Sequence, residues 1–460
     1  PFAAFSLSLS ENVRLSKSLN PKEEEYVKGR QAVVEKCLKD NGIKYKQEHV
    51  PVIAVLGSGG GERAMVGLLG SLAQMAEEKL LDSITYLCGV SGSTWCMASL
   101  YEDPCWSLKV PTNKDKLMER LSDGEFNISE MLDWLNEAVE DENYSLTDFW
   151  AATVVYRTVK KVSDLKKKQL EHHLSEQKDR DTTNPYPIYT AIDKGMKEDH
   201  QKTYPWFEVS PHEAGYTHVG AYVTTSLFGS QFEEGIVKKQ TEEKDMLYLQ
   251  GPICRLSLNY CRKTATILHF ILNTAAKIIT KTIVALCSWT WGTKFNFLHN
   301  YSVEGSPVAL VSDEKRYLMD AGLLLNSPYV AALRPERKVD LILSFDFSSD
   351  DPFQTIRQAA DYCKEAGVPF PTVVIPAGEE DKPKDFYVFK DGEKAPIVIH
   401  IPLFNTVSCG DNLEQWRNNY KTFQLPYDRK KIEEVLSISS LNVKNNKQQI
   451  IAEIQAVCTD

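Results

Sequence analysis

Two short runs of apolar, β-branched residues stand out in the hydrophobic pattern of the chain. Residues 52–56 and 84–88 have the length and composition of buried strands. Each run ends in a glycine-containing turn, and a helical pattern follows each turn. In a parallel sheet such turns lie at one edge, where ligands bind beside helix starts. The pattern therefore predicts a candidate site at this edge.

Strand-like runs and helical patterns alternate along the rest of the chain, which predicts an α/β fold with a central, mostly parallel sheet. The strand-like runs cover 186–191, 315–319, 339–346 and 396–400, and the helical patterns cover 21–41, 114–141 and 430–458. There is no repeat and no clean linker. We therefore expect an N-terminal arm and lead-in helix over 1–50, and one continuous domain over 51–460 with a cap or lid inserted around 200–310.

A long apolar stretch covers residues 267–289. Asn273, Lys277 and Lys281 recur in it at a spacing of four, so they share one side of a helix. These polar residues make a membrane-spanning helix costly. The stretch predicts either an interfacial or lid helix, or an ordinary amphipathic helix packed on the core.

Composition narrows the class of protein. The chain has 460 residues and a formal net charge of -10, which argues against a general nucleic-acid binder. Its ten cysteines are scattered, with no zinc-ligand spacing, so we expect reduced thiols in a cytoplasmic protein, no metal and no signal peptide. A basic run at 160–168 is compatible with a solvated helix face or with contact to a membrane surface.

The turn after the second run reads GVSGS, from Gly89 to Ser93. A serine at a tight strand-to-helix turn exposes its hydroxyl above the sheet, and small neighbours let the backbone fold sharply. Ser91 is therefore the candidate nucleophile. Ser93 stands where the usual motif has glycine, a departure that a small residue allows.

The turn after the first run reads GSGGGER, from Gly57 to Arg63. Consecutive glycines before a helix can present adjacent amides to one oxygen, as the oxyanion of a tetrahedral intermediate requires. Gly60 and Gly61 are the predicted donors. A nucleotide loop is disfavoured, because no Lys-Ser or Lys-Thr follows the glycines and Ala64 breaks the dinucleotide pattern.

Charged residues near the predicted sheet edge supply the remaining candidates. Arg63 suits an anionic group such as a phosphate, or else forms an ordinary salt bridge. Asp320 and Asp346 each end a strand-like run, and either is a candidate base for Ser91 in a two-residue system without histidine. Because a carboxylate is a weak base at neutral pH, such a system requires burial or close geometry.

Several ordered motifs together resemble the catalytic domain of the group IV cytosolic phospholipases A2. The motifs are GSGGGERAM, GVSGSTW, YPIYTAI, WFEVSP, LFGSQF, MDAGLLLNSPY and LILSFDF, and the likeness extends from about residue 51 to the C-terminus. The resemblance implies a patatin-like, three-layer α/β fold with a nucleophile-elbow serine and a lid. It also favours Asp320 over Asp346 as the base.

The resemblance implies specific site residues. It assigns a Ser-Asp dyad to Ser91 and Asp320, oxyanion donors to Gly60 and Gly61, and an essential arginine to Arg63. A second, supporting arginine for the substrate phosphate falls on Arg337. No metal and no cofactor are implied.

Two departures from the family pattern qualify these expectations. The roughly 50 residues before the sheet are too few for an eight-stranded calcium-binding C2 module, so we expect calcium-independent action. The segment between LFGSQF and the Asp320 strand is short, and GPICR at 251–255 departs from the pattern.

The sequence therefore predicts a cytoplasmic phospholipase A2 that acts on glycerophospholipids and lysophospholipids at membrane surfaces, with transacylase activity. Two alternatives stay open. One is a neutral-lipid acyl hydrolase on the same scaffold, and the other is a catalytically silent lipid-binding module.

Overall fold

A computed structural model describes residues 12–46, 49–123, 128–155, 172–196, 206–246, 249, 276–288, 292–391, 395–421 and 426–459. The strands are β1 (Val13–Leu15), β2 (Ile53–Gly57), β3 (Tyr86–Gly89), β4 (Tyr186–Asp193), β5 (Trp206–Val209), β6 (Glu213–Tyr216), β7 (Ala221–Thr224), β8 (Gln231–Glu233), β9 (Ile236–Lys239), β10 (Thr293–Phe295), β11 (Lys315–Asp320), β12 (Leu341–Asp346), β13 (Tyr387–Phe389) and β14 (Ile397–Pro402). The helices are α1 (Pro21–Asp40), α2 (Glu62–Glu77), α3 (Gly92–Leu100), α4 (Val110–Asp123), α5 (Ile128–Ala138), α6 (Leu146–Trp150), α7 (Ala276–Ser288), α8 (Val308–Ser312), α9 (Tyr329–Ala332), α10 (Gln354–Ala366), α11 (Thr406–Cys409), α12 (Leu413–Asn419), α13 (Arg429–Asn445) and α14 (Lys447–Thr459).

Twelve strands within these ranges form one sheet, and its five central strands are parallel. Their order is β4, β3, β2, β12 and β14. All five are buried along their length, as expected for continuous apolar runs covered by helices on both faces. The predicted strands are confirmed to within two residues at each end.

Antiparallel strands extend both sides of this parallel centre. The meander of β5, β6 and β7 continues from β4, and β1 pairs with β7 at the far edge. On the other side β13 pairs with β14. The strands of this meander, within residues 206–224, fall inside the range expected for a cap around 200–310 and belong to the main sheet. The hairpin of β8 and β9, which follows the meander, forms a separate two-stranded sheet.

Side chains alternate between the two faces of the central strands and build two separate apolar layers. Ile53 and Val55 pack with α2, α3 and α13 on one face. Ala54 and Leu56 pack with α9 and α10 on the other. The helix α2 is buried on nearly all sides, and a Cβ at Gly70 would meet the Leu436 carbonyl oxygen of α13 at 2.9 Å. The predicted three-layer arrangement is thus observed.

The helix α7 forms the described part of the apolar stretch predicted at 267–289. Ile278 and Thr282 are buried, and the Thr282 hydroxyl lies 2.8 Å from the Tyr144 hydroxyl. Lys281 Nζ donates to the carbonyls of Val139 and Asp141 at 2.6 and 2.8 Å. Packing on the core therefore accounts for one side of α7. Residues 267–275 and the basic run at 160–168 lie outside the described residues.

No helix in the described ranges is both long and apolar enough to cross a membrane.

Candidate active site

Ser91 occupies the tight turn between β3 and α3. Its φ of 53° and ψ of -130° are unusual for a residue with a side chain, and such strain persists only where the surroundings enforce it. The Thr94 hydroxyl donates to the Ser91 carbonyl at 2.5 Å, and the Thr190 hydroxyl donates to the Gly89 carbonyl at 3.0 Å. The turn has the conformation predicted for a nucleophile elbow.

The Ser91 turn packs directly against the glycine turn that follows β2. A Cβ at Gly92 would overlap the carbonyl oxygen of Gly61, so only glycine fits at this approach. The Ser93 hydroxyl donates to the Ser58 carbonyl at 2.6 Å and ties the same two turns together. Serine at the fifth position of the motif therefore adds a bond that glycine could not make.

Gly60 and Gly61 lie in left-handed backbone at the end of the first turn, with φ of 155° and 61°. A side chain is disfavoured at both positions. Neither amide donates a hydrogen bond to another residue in the described ranges. Gly61 immediately precedes α2, where unpaired amides carry the positive end of the helix dipole. The two amides fit the predicted role of oxyanion donors.

The strands β3 and β11 meet along one edge of β4. Tyr189 of β4 pairs with Gly89, the last residue of β3, and Ala191 pairs with Asp320, the last residue of β11. Both β4 residues pair with β5 on their other side, so β3 and β11 share an edge. Since a strand advances about 3.3 Å per residue, Gly89 and Asp320 lie about 7 Å apart. The turn that carries Ser91 therefore lies beside the end of β11.

The Asp320 carboxylate is 6% exposed, and one of its oxygens accepts the Gly322 amide at 2.8 Å. Asn326 follows in the same turn and reaches the glycine turn. Its carbonyl accepts the Gly59 amide at 2.9 Å, and its Nδ2 donates to the Gly59 carbonyl at 3.2 Å. A Cβ at Gly59 would lie 2.9 Å from the Ser91 Cβ. The Asp320, glycine and Ser91 turns thus form one compact group.

Asp346, the other candidate base, contacts a different part of this group. One of its oxygens accepts the amide and the hydroxyl of Ser348 at 2.9 and 2.6 Å and the Ser58 hydroxyl at 3.3 Å. The roles of Asn326, Ser58 and Ser348 were not predicted from the sequence. The available signal was their position in the motifs that carry the family resemblance, because Ser58 and Asn326 lie inside two of them and Ser348 directly follows a third.

Arg63 lies beneath the glycine turn, with 1% of its surface exposed. Its Nε donates to the Phe347 carbonyl at 2.6 Å, and its Nη1 donates to the Tyr420 carbonyl. Its Nη2 lies 2.9 Å from the position of a Cβ on Gly60. Burial lowers the pKa of Arg63. The guanidinium is thus packed inside the protein against the glycine turn.

Comparison with known proteins identifies the family. The family model described as the lysophospholipase catalytic domain matches residues 53–364. Human cytosolic phospholipase A2 gamma is 32% identical over 97% of this chain and 97% of its own length. The chain belongs to the cytosolic phospholipase A2 family. The mouse gamma protein is also 32% identical, over 98% of this chain and 93% of its own length.

A solved member of this phospholipase family has the same fold. The structure of human GIVD cytosolic phospholipase A2 superposes with a TM-score of 0.80 at 24% identity and covers 98% of this chain and 69% of its own. A second structure of that protein, in complex with methyl gamma-linolenyl fluorophosphonate, gives a TM-score of 0.77 at 25% identity. The predicted α/β fold is confirmed.

The structure does not bring Arg337 into the phospholipase site. Its guanidinium lies 5.5 Å from the ring centre of Tyr86, which is the first residue of β3 and lies at the opposite end of that strand from the Ser91 turn. It pairs with Glu23 and Glu208 at 2.8 Å each, and all three groups are buried. Burial acts to lower the pKa of Arg337, but the two carboxylates raise it well above its usual value. The donors of Arg337 are thus directed to buried carboxylates at the end of β3 away from the Ser91 turn.

The contact between Gly92 and Gly61 gives a test of the site geometry. We expect Gly92→Ala to lower the free energy of unfolding by about 3 kcal/mol, because the added methyl meets a backbone oxygen that cannot rotate away. Gly305→Ala is the matched control. It adds a methyl in open space at a φ of 73° and should cost about 1 kcal/mol. Denaturant unfolding followed by circular dichroism gives both values, and equal losses would contradict the geometry.

Proposed function

We propose that the chain hydrolyses the acyl esters of glycerophospholipids, with Ser91 as the nucleophile and Asp320 as its base. One observation supports this proposal most directly. The strands β3 and β11 both pair with β4, and they end beside each other next to the glycine turn. Membership of the phospholipase family supports the substrate class.

In the first step the Ser91 hydroxyl gives its proton to the Asp320 carboxylate as its oxygen attacks the ester carbonyl. The carbonyl π electrons move onto oxygen, and the amides of Gly60 and Gly61 donate to this oxyanion. As the intermediate collapses, the bond to the leaving oxygen breaks. That oxygen takes the proton from Asp320 and departs as a lysophospholipid, leaving an acyl ester on Ser91.

In the second step a water molecule gives a proton to Asp320 and attacks the acyl carbonyl. The same two amides stabilise the second oxyanion. The bond from Ser91 to the acyl carbon breaks, and Ser91 takes the proton back from Asp320. A free fatty acid is released.

The proposed substrates include lysophospholipids as well as diacyl phospholipids. The matching family model is named for lysophospholipase activity, which supports the smaller substrate. A lysophospholipid hydroxyl in place of water would give transacylation by the same second step. The solved relative in complex with an acyl-chain fluorophosphonate supports a serine nucleophile beside a lipid-binding site, because this reagent class reacts with activated serines.

Arg63 was predicted to bind the substrate phosphate, but its burial favours a different role. Its Nε and Nη1 donate to the backbone carbonyls of Phe347 and Tyr420, and its Nη2 and the Phe347 carbonyl both lie against Gly60. We infer that Arg63 fixes the glycine turn and so aligns the amides of Gly60 and Gly61. A planar guanidinium suits this because its donors are held in a rigid fork.

We propose that the protein acts in the cytoplasm and binds phospholipid surfaces without calcium. The relatives are named as cytosolic enzymes, which supports the compartment. On α7 the side chain of Ile283 is 45% exposed, while Ile278 and Thr282 on the opposite side are buried. An apolar residue exposed on an amphipathic helix favours contact with a membrane interface.

Replacing Ser91 with alanine should lower kcat on phospholipid vesicles by at least about 10⁴-fold, because the acyl acceptor is lost. Labelling with a fluorophosphonate should disappear as well. Asp320→Asn should remain folded and lose hydrolysis, since the amide cannot take the serine proton. Ser99→Ala is the control, because it removes a buried hydroxyl from α3, the helix that follows Ser91. Its rate and labelling should match the wild type.

The same assay separates the alternatives. Substantial hydrolysis by the Ser91→Ala protein would refute the nucleophile assignment. A wild-type protein that is never labelled would be a silent lipid-binding module. A labelled protein that cleaves uncharged acyl esters and spares phospholipids would be a neutral-lipid hydrolase.

For Arg63→Lys we expect kcat to fall about 10²-fold on both a diacyl phospholipid and an uncharged diacylglycerol, because one misaligned oxyanion donor has an effect of this size. Arg30→Lys is the matched control. Arg30 is also buried and donates to a backbone carbonyl, that of Ile84 at 2.7 Å, outside the site. It should lower the melting temperature with little effect on kcat. A loss confined to the phospholipid would instead restore the phosphate-binding role.

Ile283→Asp should weaken binding to phospholipid vesicles several-fold, because it places a charge in the proposed membrane contact. Hydrolysis of a short-chain ester below its micelle concentration should stay unchanged. Val374→Asp, at a residue that is 71% exposed elsewhere on the surface, is the control. Vesicle co-sedimentation with and without a calcium chelator measures both effects. Unchanged binding by Ile283→Asp, or binding abolished by the chelator, would contradict the proposal.

A further inference from the structure

Asp346 is a buried carboxylate that the two chemical steps do not use. It is the last residue of β12 and is 1% exposed. A single oxygen, Oδ1, accepts three hydrogen bonds, from the amide and hydroxyl of Ser348 and from the hydroxyl of Ser58. Several donors directed to one carboxylate oxygen hold that oxygen at a defined position.

The first chain of hydrogen bonds runs from Asp346 to the glycine turn. The Ser58 hydroxyl accepts the Phe347 amide at 2.7 Å, and its own proton is shared between Asp346 at 3.3 Å and the Gly59 carbonyl of the glycine turn at 3.4 Å. The Ser58 carbonyl accepts the Ser93 hydroxyl of the nucleophile turn. Asp346 therefore connects through one residue to the start of the glycine turn and to the Ser91 turn.

The second chain runs from Asp346 to the turn that carries the proposed base. The Ser348 hydroxyl donates to Asp346 and accepts a hydrogen bond from Asn326 Nδ2 at 3.1 Å. Asn326 also exchanges two hydrogen bonds with Gly59. The same residue therefore connects the glycine turn to the residues that follow Asp320.

The neighbouring His400 makes no direct hydrogen bond to Asp346 among the described residues. Its Nε2 donates to the Pro352 carbonyl at 2.7 Å and lies 4.0 Å from the second Asp346 oxygen. Burial lowers the pKa of His400 below its ordinary value, although the Asp346 charge acts to raise it. The two serines are thus the direct hydrogen-bonding partners that position the carboxylate.

We propose that Asp346 is a positioning residue. Through Ser58 and Ser348 it holds the glycines whose amides donate to the oxyanion in register with the turn that carries Asp320. It does not touch the substrate and takes no proton during turnover. This inference rests on the proposed function, because it assigns the glycine amides to the oxyanion. The family resemblance favours Asp320 over Asp346 as the base, and the contacts of Asp346 support a different role at the same site.

The test measures kcat, KM, melting temperature and the affinity of an acyl trifluoromethyl ketone, whose adduct with a serine carries an oxyanion. For Asp346→Ala we expect kcat and ketone affinity to fall together by about 10²-fold, as when one oxyanion donor is lost, with KM within about threefold of wild type. Asp346→Asn should recover most of both, because its carbonyl oxygen still accepts. Ser349→Ala, one residue beyond Ser348 in the same loop, should equal the wild type.

Ser58→Ala and Ser348→Ala keep the proposal testable if Asp346→Ala does not fold. Each substitution removes one of the two chains of hydrogen bonds. In each variant, kcat and ketone affinity should fall together by the same factor. A lower melting temperature with unchanged kcat and ketone affinity would overturn the proposal. So would an Asp346→Asn enzyme as inactive as Asp346→Ala. Failure of the proposed function itself is distinct, because the wild-type enzyme would then lack both hydrolysis and serine labelling.

Discussion

The edge of β4 is the constraint on which the whole site depends. One half of that edge pairs with β3 and the other half pairs with β11, so that two segments far apart in the chain end beside each other. Main-chain hydrogen bonds make both pairings, which therefore do not depend on the identity of most side chains. The proposed nucleophile and base are brought together by backbone register, and the surrounding side chains refine their alignment.

The local patterns predicted the Ser91 turn and the glycine turn because each is a short-range feature. A strand, a sharp turn and a helix are visible within about fifteen residues of sequence. The strained φ of Ser91 and the backbone contact between Gly92 and Gly61 are the physical reasons for the small residues in these motifs. The predicted central strands were found for a similar reason, since continuous apolar runs mark strands buried on both faces.

The choice between Asp320 and Asp346 required information that a local pattern does not contain. Both are aspartates at the end of a strand, and both are buried. They differ in strand direction and neighbour, because β11 runs antiparallel to β4 while β12 runs parallel to β2. The arginines were ambiguous for a related reason. Arg63 and Arg337 carry the same side chain, so the sequence does not distinguish them. Only the tertiary structure shows that Arg63 is buried against backbone carbonyls and Arg337 against carboxylates.

The shared edge also limits how this family can change in length. One residue added between Tyr189 and Ala191 would move the end of β11 by about 3.3 Å and turn its side chains to the opposite face of the sheet. Segments that leave the sheet, such as the hairpin of β8 and β9, carry no such restriction. The register of β4 therefore favours changes of length at the periphery of the sheet over changes within the short ladder that β4 makes with β3 and β11.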